Sequence, residues 1–187
     1  MKLIIVRHAE TNYNVQHLTN YNAGVDVHLT ERGERQAEKL AEVLREVPID
    51  VIFVSRLKRT KQTAEIVNRQ RGILVVEDGR LDDVYNGFEG RPVSEAKAWR
   101  NSQPDPVRAK LSEEWESVQD VNKRVRSFLR DVAGRDEETI LVVTSSHLMK
   151  HFRMINGEGS MDDVLGKSAQ NVGIFEMEVK KGEKYEI

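Results

Sequence analysis

The sequence predicts an α/β fold: a three-layer α/β/α sandwich around a mostly parallel central sheet, with a hairpin at one edge. Three observations point there. Strand-length apolar runs alternate with stretches of helical periodicity along the 187 residues, the order expected when crossover helices join parallel strands. The first four runs are short, β-branched and apolar without alternation, as strands covered on both faces are. The last run partly alternates, which suits a half-exposed edge.

The strands fall at residues 3–6, 51–54, 73–76, 140–144 and 172–179. Lys181-Gly182 and residues 185–187 then read as the turn and return arm of the edge hairpin. Thr30 is placed to cap a helix with Ala37, Leu40, Ala41, Leu44 and Val47 at helical spacing, and Pro48 stops it. A second helix runs over about 57–70, with Ala64, Ile66 and Val67 inward and Gly72 closing it. A third covers 118–132, and a fourth starts just after His147. Residues 101–108, with Pro104 and Pro106, form an insert too short for a domain boundary, so residues 1–187 are expected to be one domain.

Composition excludes several functions. Charged residues make up 32% of the chain, yet 29 basic against 31 acidic leaves a net charge of −2. No bulk positive field is there to release counterions, so nucleic acid is not an expected partner. With no cysteine there is no disulfide framework, zinc ribbon or thiol chemistry. The apolar run Leu3 to Val6 is too short for a signal peptide or a membrane span, and no later run is long enough. A cytoplasmic protein with no membrane partner is expected.

Ligands of such sheets sit beyond the carboxyl ends of the strands. Those ends gather residues 7–14, 55–59, 77–90 and 145–147, and with them Arg7, His8, Arg59, His147 and a carboxylate, around one crevice. Two arginines donating bidentate bonds specify a dianionic tetrahedral ligand. Histidine is a competent nucleophile toward phosphorus, and a carboxylic acid can protonate a leaving alkoxide. The set suffices for phosphoryl transfer through a phosphohistidine, with no cofactor and no metal. His147 and His151 stand at a spacing that also suits a metal pair, but without a nearby third ligand His151 reads as a packing residue. Arg56 and Lys58 read as solvated, His17 and His28 as exposed, Trp99 and Trp115 as packing, and Glu10 and Thr11 as ordering their loop.

Arg7-His8-x-Glu10-Thr11-x-x-Asn14 resembles the opening signature of the histidine phosphatase superfamily, which includes phosphoglycerate mutases and fructose-2,6-bisphosphatase. Further segments are similar to that family in the same order: Leu29-Thr30-x-x-Gly33-x-x-Gln36-Ala37, Ser55-x-Leu57-x-Arg59-Thr60-x-x-Thr63-Ala64, and Leu81-Asp82-Asp83 through Glu89-Gly90. Glu116-Ser117 with Arg124-Val125, and the strand ending in Ser145-Ser146-His147, complete the series. The resemblance implies a phosphoglycerate mutase-like fold. It also implies that His8 is phosphorylated and that Arg7, Arg59, Asn14 and His147 hold the phosphoryl group; Gly24 is expected to be a further substrate-binding residue. The proton donor falls on Asp83, where the family usually has glutamate, with Asp82 and Glu89 as alternatives. Ala9 and Leu148 stand where the family favours glycine.

Three functions compete. The first is a phosphatase acting on a small phosphorylated metabolite. The second is a phosphoglycerate mutase; such mutases carry paired basic residues in the insert after the acid loop, and here Trp99-Arg100-Asn101 offers one arginine. The third is a non-catalytic phosphate-binding or interaction module on the same scaffold. The loop 15–28 and the insert 91–116 are expected to form the rim that selects the ligand.

Overall fold

The computed structural model describes residues 1–165 and 169–186. Its strands are β1 (Lys2–Arg7), β2 (Val51–Val54), β3 (Leu74–Glu77), β4 (Thr139–Thr144) and β5 (Ile174–Glu178), in the sheet order β3-β2-β4-β1-β5. β1, β2, β3 and β4 run parallel, and β5 lies antiparallel against β1. The helices are α1 (Asn12–Val15), α2 (Glu31–Val43), α3 (Lys58–Asn68), α4 (Val93–Asn101), α5 (Val118–Val132), α6 (Ser146–Ile155) and α7 (Met161–Leu165), with a 3-10 turn at Gly79–Leu81.

Side chains leave a strand on alternating faces, and here both faces are cores. Leu3, Ile5, Val51, Phe53, Ile140 and Val142 pack with Val121, Val125, Phe128 and Leu129 of α5 and Leu148 and Phe152 of α6. Ile4, Val6, Ile52, Val54, Leu141 and Val143 pack instead with Leu40 of α2 and Ala64 and Val67 of α3. That division makes the strands unbroken apolar runs and produces the sandwich. Phe128 bridges the first core, its ring edge-on to Phe53 at 5.4 Å and to Phe152 at 6.1 Å. Truncating such a ring costs about 3–5 kcal/mol.

The edges depart from expectation. β3 has only β2 beside it, and Leu74 is 66% exposed, so this strand is not covered on both faces. At the other edge the turn forms, with Gly182 in the left-handed region at φ 73° and its N–H on the Ala133 carbonyl. The expected return arm does not pair. Tyr185 is drawn into the α5-side core, so the described part of that arm runs as coil; Ile187 lies outside the described residues. The edge is therefore one antiparallel strand, not a hairpin. α6 starts at Ser146 because the Ser145 hydroxyl caps it, which puts His147 inside the first turn. α4 was not foreseen: it has no fully buried residue and so only a weak apolar stripe. Among the described residues no helix is long and apolar enough to cross a membrane.

Candidate active site

β1 carries Arg7 and His8 to the carboxyl edge of the sheet. The His8 N–H still donates to the Thr144 carbonyl at 2.9 Å, so the backbone is sheet-anchored where its side chain enters the crevice. His8 is buried, and its Nδ1 lies 2.8 Å from the Ala9 carbonyl. A carbonyl only accepts, so Nδ1 carries the proton and Nε2 the lone pair. Burial first, then the neighbouring Arg59 and Arg7, push the imidazole well below the ordinary histidine range. It is neutral at pH 7.

The loop after His8 is locked from α2. Glu10 donates its N–H to Gln36, accepts the Thr30 N–H on its carbonyl, and takes the Thr30 hydroxyl on its carboxylate. A Cβ on Gly33 would stand 2.1 Å from the Glu10 carbonyl oxygen, so only glycine lets the helix come this close. The Thr30–Gly33–Gln36 spacing is thus the lock on the His8 loop. Thr11 caps α1 in a capping box with Asn14. The Asn14 Oδ1 also accepts from Asn171, which donates in turn to the His8 carbonyl, both at 3.1 Å. Asn171 was not anticipated.

Arg59, in the first turn of α3, is buried. Its Nη1 donates to Asn20 Oδ1, and its Nη2 to the Asn20 carbonyl at 3.0 Å and to Asp83 Oδ2 at 3.1 Å. Arg7 donates Nη1 to the Ala169 carbonyl. The Nε groups of both arginines are buried without partners among the described residues. Buried donors left unpaired are costly and mark where an anion would bind. His147 lines the same cavity from α6. Burial first lowers its pKa, against an opposing pull from Asp83 and with help from Lys150, Arg100 and Arg124, to about 4.

The three candidate carboxylates separate cleanly. Asp82 is fully buried and accepts from the Arg56 N–H, the Arg56 Nε and the Tyr85 hydroxyl. Glu89 accepts from Asn20 Nδ2 and from the N–H groups of Tyr21 and Asn22. Only Asp83 lines the cavity. Arg56 is exposed and outside the cavity, as expected, and its guanidinium bonds Asp82 and Tyr85. Lys58 pairs at the surface with Asp26 at 2.6 Å. His17 is exposed; His28 is half-buried beside Asp26. Trp115 packs edge-on to Tyr21, and Trp99 against Phe88.

Gly24 does not belong with the others. Its N–H closes a turn on the Asn22 side chain, it is exposed, and the loop enters the cavity through Leu18, Thr19, Asn20 and Val27 instead. The cavity, of about 270 Å³, also receives Lys97 and Arg100 from α4 and Lys150 from α6. Burial and the cations Arg100, Lys97 and Arg7 bring Lys150 down to about 8. These three were missed. The available signal was spacing: Lys97 with Arg100, and His147 with Lys150, each lie three apart on a helix face. A smaller apolar slot lined by Phe88, Trp99 and Val118 shares Val84, Asn86 and His147 with the main cavity. Fully buried His151 has no partner on either ring nitrogen among the described residues, and burial keeps it neutral. Among the described residues no cluster of His, Cys, Asp and Glu could hold a metal ion.

A parallel sheet whose strand ends bring two histidines and two arginines to one cavity has the arrangement of an enzyme handling phosphate esters. The chain belongs to the histidine phosphatase superfamily, branch 1, whose model matches residues 3–185. Phosphoserine phosphatase 1 of Hydrogenobacter thermophilus is 32% identical over 157 residues, covering 80% of this chain and 73% of that one. Fructose-2,6-bisphosphatase TIGAR of Xenopus tropicalis is 34% identical over 131 residues, covering 67% of this chain and 47% of that one. Among solved structures, Bacillus stearothermophilus YhfR superimposes with a TM-score of 0.80 at 26% identity, over 100% of this chain and 94% of that one. Relatives named as phosphatases within that superfamily support a phosphatase enzyme.

Proposed function

We propose that this enzyme hydrolyses a small phosphomonoester through a phosphohistidine on His8, without a metal ion. Arg7, Arg59, Asn14 and His147 hold the phosphoryl oxygens. The His8 Nε2 lone pair attacks phosphorus in line, the bond from phosphorus to the ester oxygen breaks, and Asp83 gives its proton to the departing alkoxide. Water then attacks the phosphohistidine, the P–N bond breaks, and the Asp83 carboxylate takes the water's proton. The observation that carries this reading is the neutral, Nδ1-anchored His8 imidazole beside the buried Arg59 and the half-buried Arg7. Asp83 shares Arg59 Nη2 before substrate arrives; a bound dianion competes for that donor and frees the carboxyl group for proton transfer. Lys97, Arg100 and Lys150 leave the cavity strongly cationic, which suits an ester carrying a second acidic group. The relative named for phosphoserine fits that charge pattern.

The test is a metabolite-wide phosphatase screen in EDTA with wild type and His8→Ala. Turnover by wild type alone is expected, fastest on esters with a carboxylate. Loss of activity in EDTA restored by one divalent ion would overturn the metal-free step, and isomerisation dependent on bisphosphoglycerate would favour the mutase.

A further inference from the structure

We infer that Glu89 is a positioning residue for the phosphate clamp, acting through Asn20 on Arg59. The inference rests on the reading of Arg59 as a phosphate ligand. Residues 20–22 belong to no helix or strand, yet three of their donors converge on one carboxylate. Asn20 Nδ2 reaches Glu89 Oε1 at 2.9 Å, and the N–H groups of Tyr21 and Asn22 reach Oε2 at 2.7 and 2.8 Å. Asn20 Nδ2 also donates to the Asn22 carbonyl at 3.1 Å.

An amide whose NH₂ is held on a carboxylate must present its oxygen on the other side. That oxygen and the Asn20 carbonyl take the two terminal nitrogens of Arg59. A planar guanidinium gripped along its Nη1–Nη2 edge cannot rotate. What remains is the edge formed by Nε and Nη2, where Nε has no partner among the described residues and Nη2 is shared with Asp83. A phosphate dianion takes that edge bidentately. Without Glu89 only the Asn22 carbonyl still holds the Asn20 NH₂, so the amide can flip and point NH₂ at the guanidinium, leaving the Asn20 backbone carbonyl alone on that edge. Glu89 touches neither the phosphate nor the reacting atoms, so its effect is on alignment.

The experiment measures binding of inorganic phosphate by calorimetry to wild type, Glu89→Ala, Asn20→Ala, the double variant, Glu89→Gln and Arg59→Lys, with folding checked by circular dichroism. Glu89→Ala and Asn20→Ala should each weaken phosphate binding by about tenfold, the scale of a lost charge-assisted hydrogen bond. The double variant should be no weaker than either single one, because both act through one chain of bonds. Glu89→Gln, which keeps an acceptor for Asn20, should recover most of the affinity. If Glu89→Ala melts earlier but binds phosphate as wild type does, or if the two effects add, the relay is wrong. Should Glu89→Ala fail to fold, Asn20→Ala alone decides: unchanged affinity sinks the relay. If Arg59→Lys binds phosphate normally, the clamp itself is misread, a different outcome from failure of the relay.

Discussion

The floor and the roof of the cleft are built by different means. The floor consists of strand ends and first helical turns: His8 one residue past β1, Arg59 in the first turn of α3, His147 in the first turn of α6. Sheet register and the Gly33 contact fix His8, the Ser145 cap fixes the turn carrying His147, and Asn20 grips the guanidinium of Arg59. The roof consists of residues 17–24, the acid loop and α4, and is held by side chains clamping irregular backbone, with Glu89 on residues 20–22 and Asp82 on Arg56. A floor made from regular elements suits chemistry that every member of the family needs; a roof made from loops can change with the ligand.

Adjacent carboxylates in the roof offer the sharpest way to break this division. Asp83→Asn should lower kcat for alkyl phosphates by about 10² or more, with a smaller loss on nitrophenyl-type esters, whose phenolate leaves without a proton. Asp82→Asn should instead lower the melting temperature, since the neutral side chain cannot match a fully buried carboxylate accepting from Arg56 and Tyr85. Steady-state kinetics and thermal melts of both variants decide it; a damaged kcat in a stable Asp82→Asn enzyme would move the acid to Asp82.

A smaller effect is expected in the floor. Arg59→Lys should cost roughly tenfold in kcat/KM, because an ammonium cannot reproduce two parallel bonds. An unchanged kcat/KM would show that the clamp does not depend on the Arg59 fork.

A pH effect on stability tests the buried histidines themselves. His147 titrates at about 4 when folded against the ordinary 6.5, and His8 and His151 are shifted the same way. Between those values the unfolded chain binds protons that the folded chain does not. Stability therefore falls as pH drops from about 6.5 toward 4, and the His147 share of the loss stops below that. Urea midpoints across this range measure it, and a flat profile would mean that the imidazoles are not held neutral.

Legibility in the sequence follows the same division. Continuous apolar strands, the Thr30 cap, the helical spacing over 118–132 and the ordered motifs located the sheet, α2, α5 and the residues Arg7, His8, Arg59 and His147, because each follows a local pattern of periodicity, capping or motif order. The roof obeys no such rule. Gly24 was assigned to the ligand loop, but the Asn22 turn holds it outside while Asn20 enters. α4, with Lys97 and Arg100, was missed because a helix lying over a cavity buries little apolar surface and leaves a weak periodic signal; Lys150, on α6, was marked only by its spacing from His147. The return arm after β5 was overread because Tyr185 looked like a strand residue and is a core residue.

The central claim is that the floor makes a covalent bond to phosphorus at His8. Rapid quench of the enzyme with a phosphomonoester labelled in its phosphoryl group tests it most directly. The account predicts acid-labile, base-stable label on His8 at up to one equivalent, formed before product is released and absent from His8→Ala. Label of the same stability appearing in His8→Ala, or turnover by wild type with no labelled enzyme at any time, would contradict it.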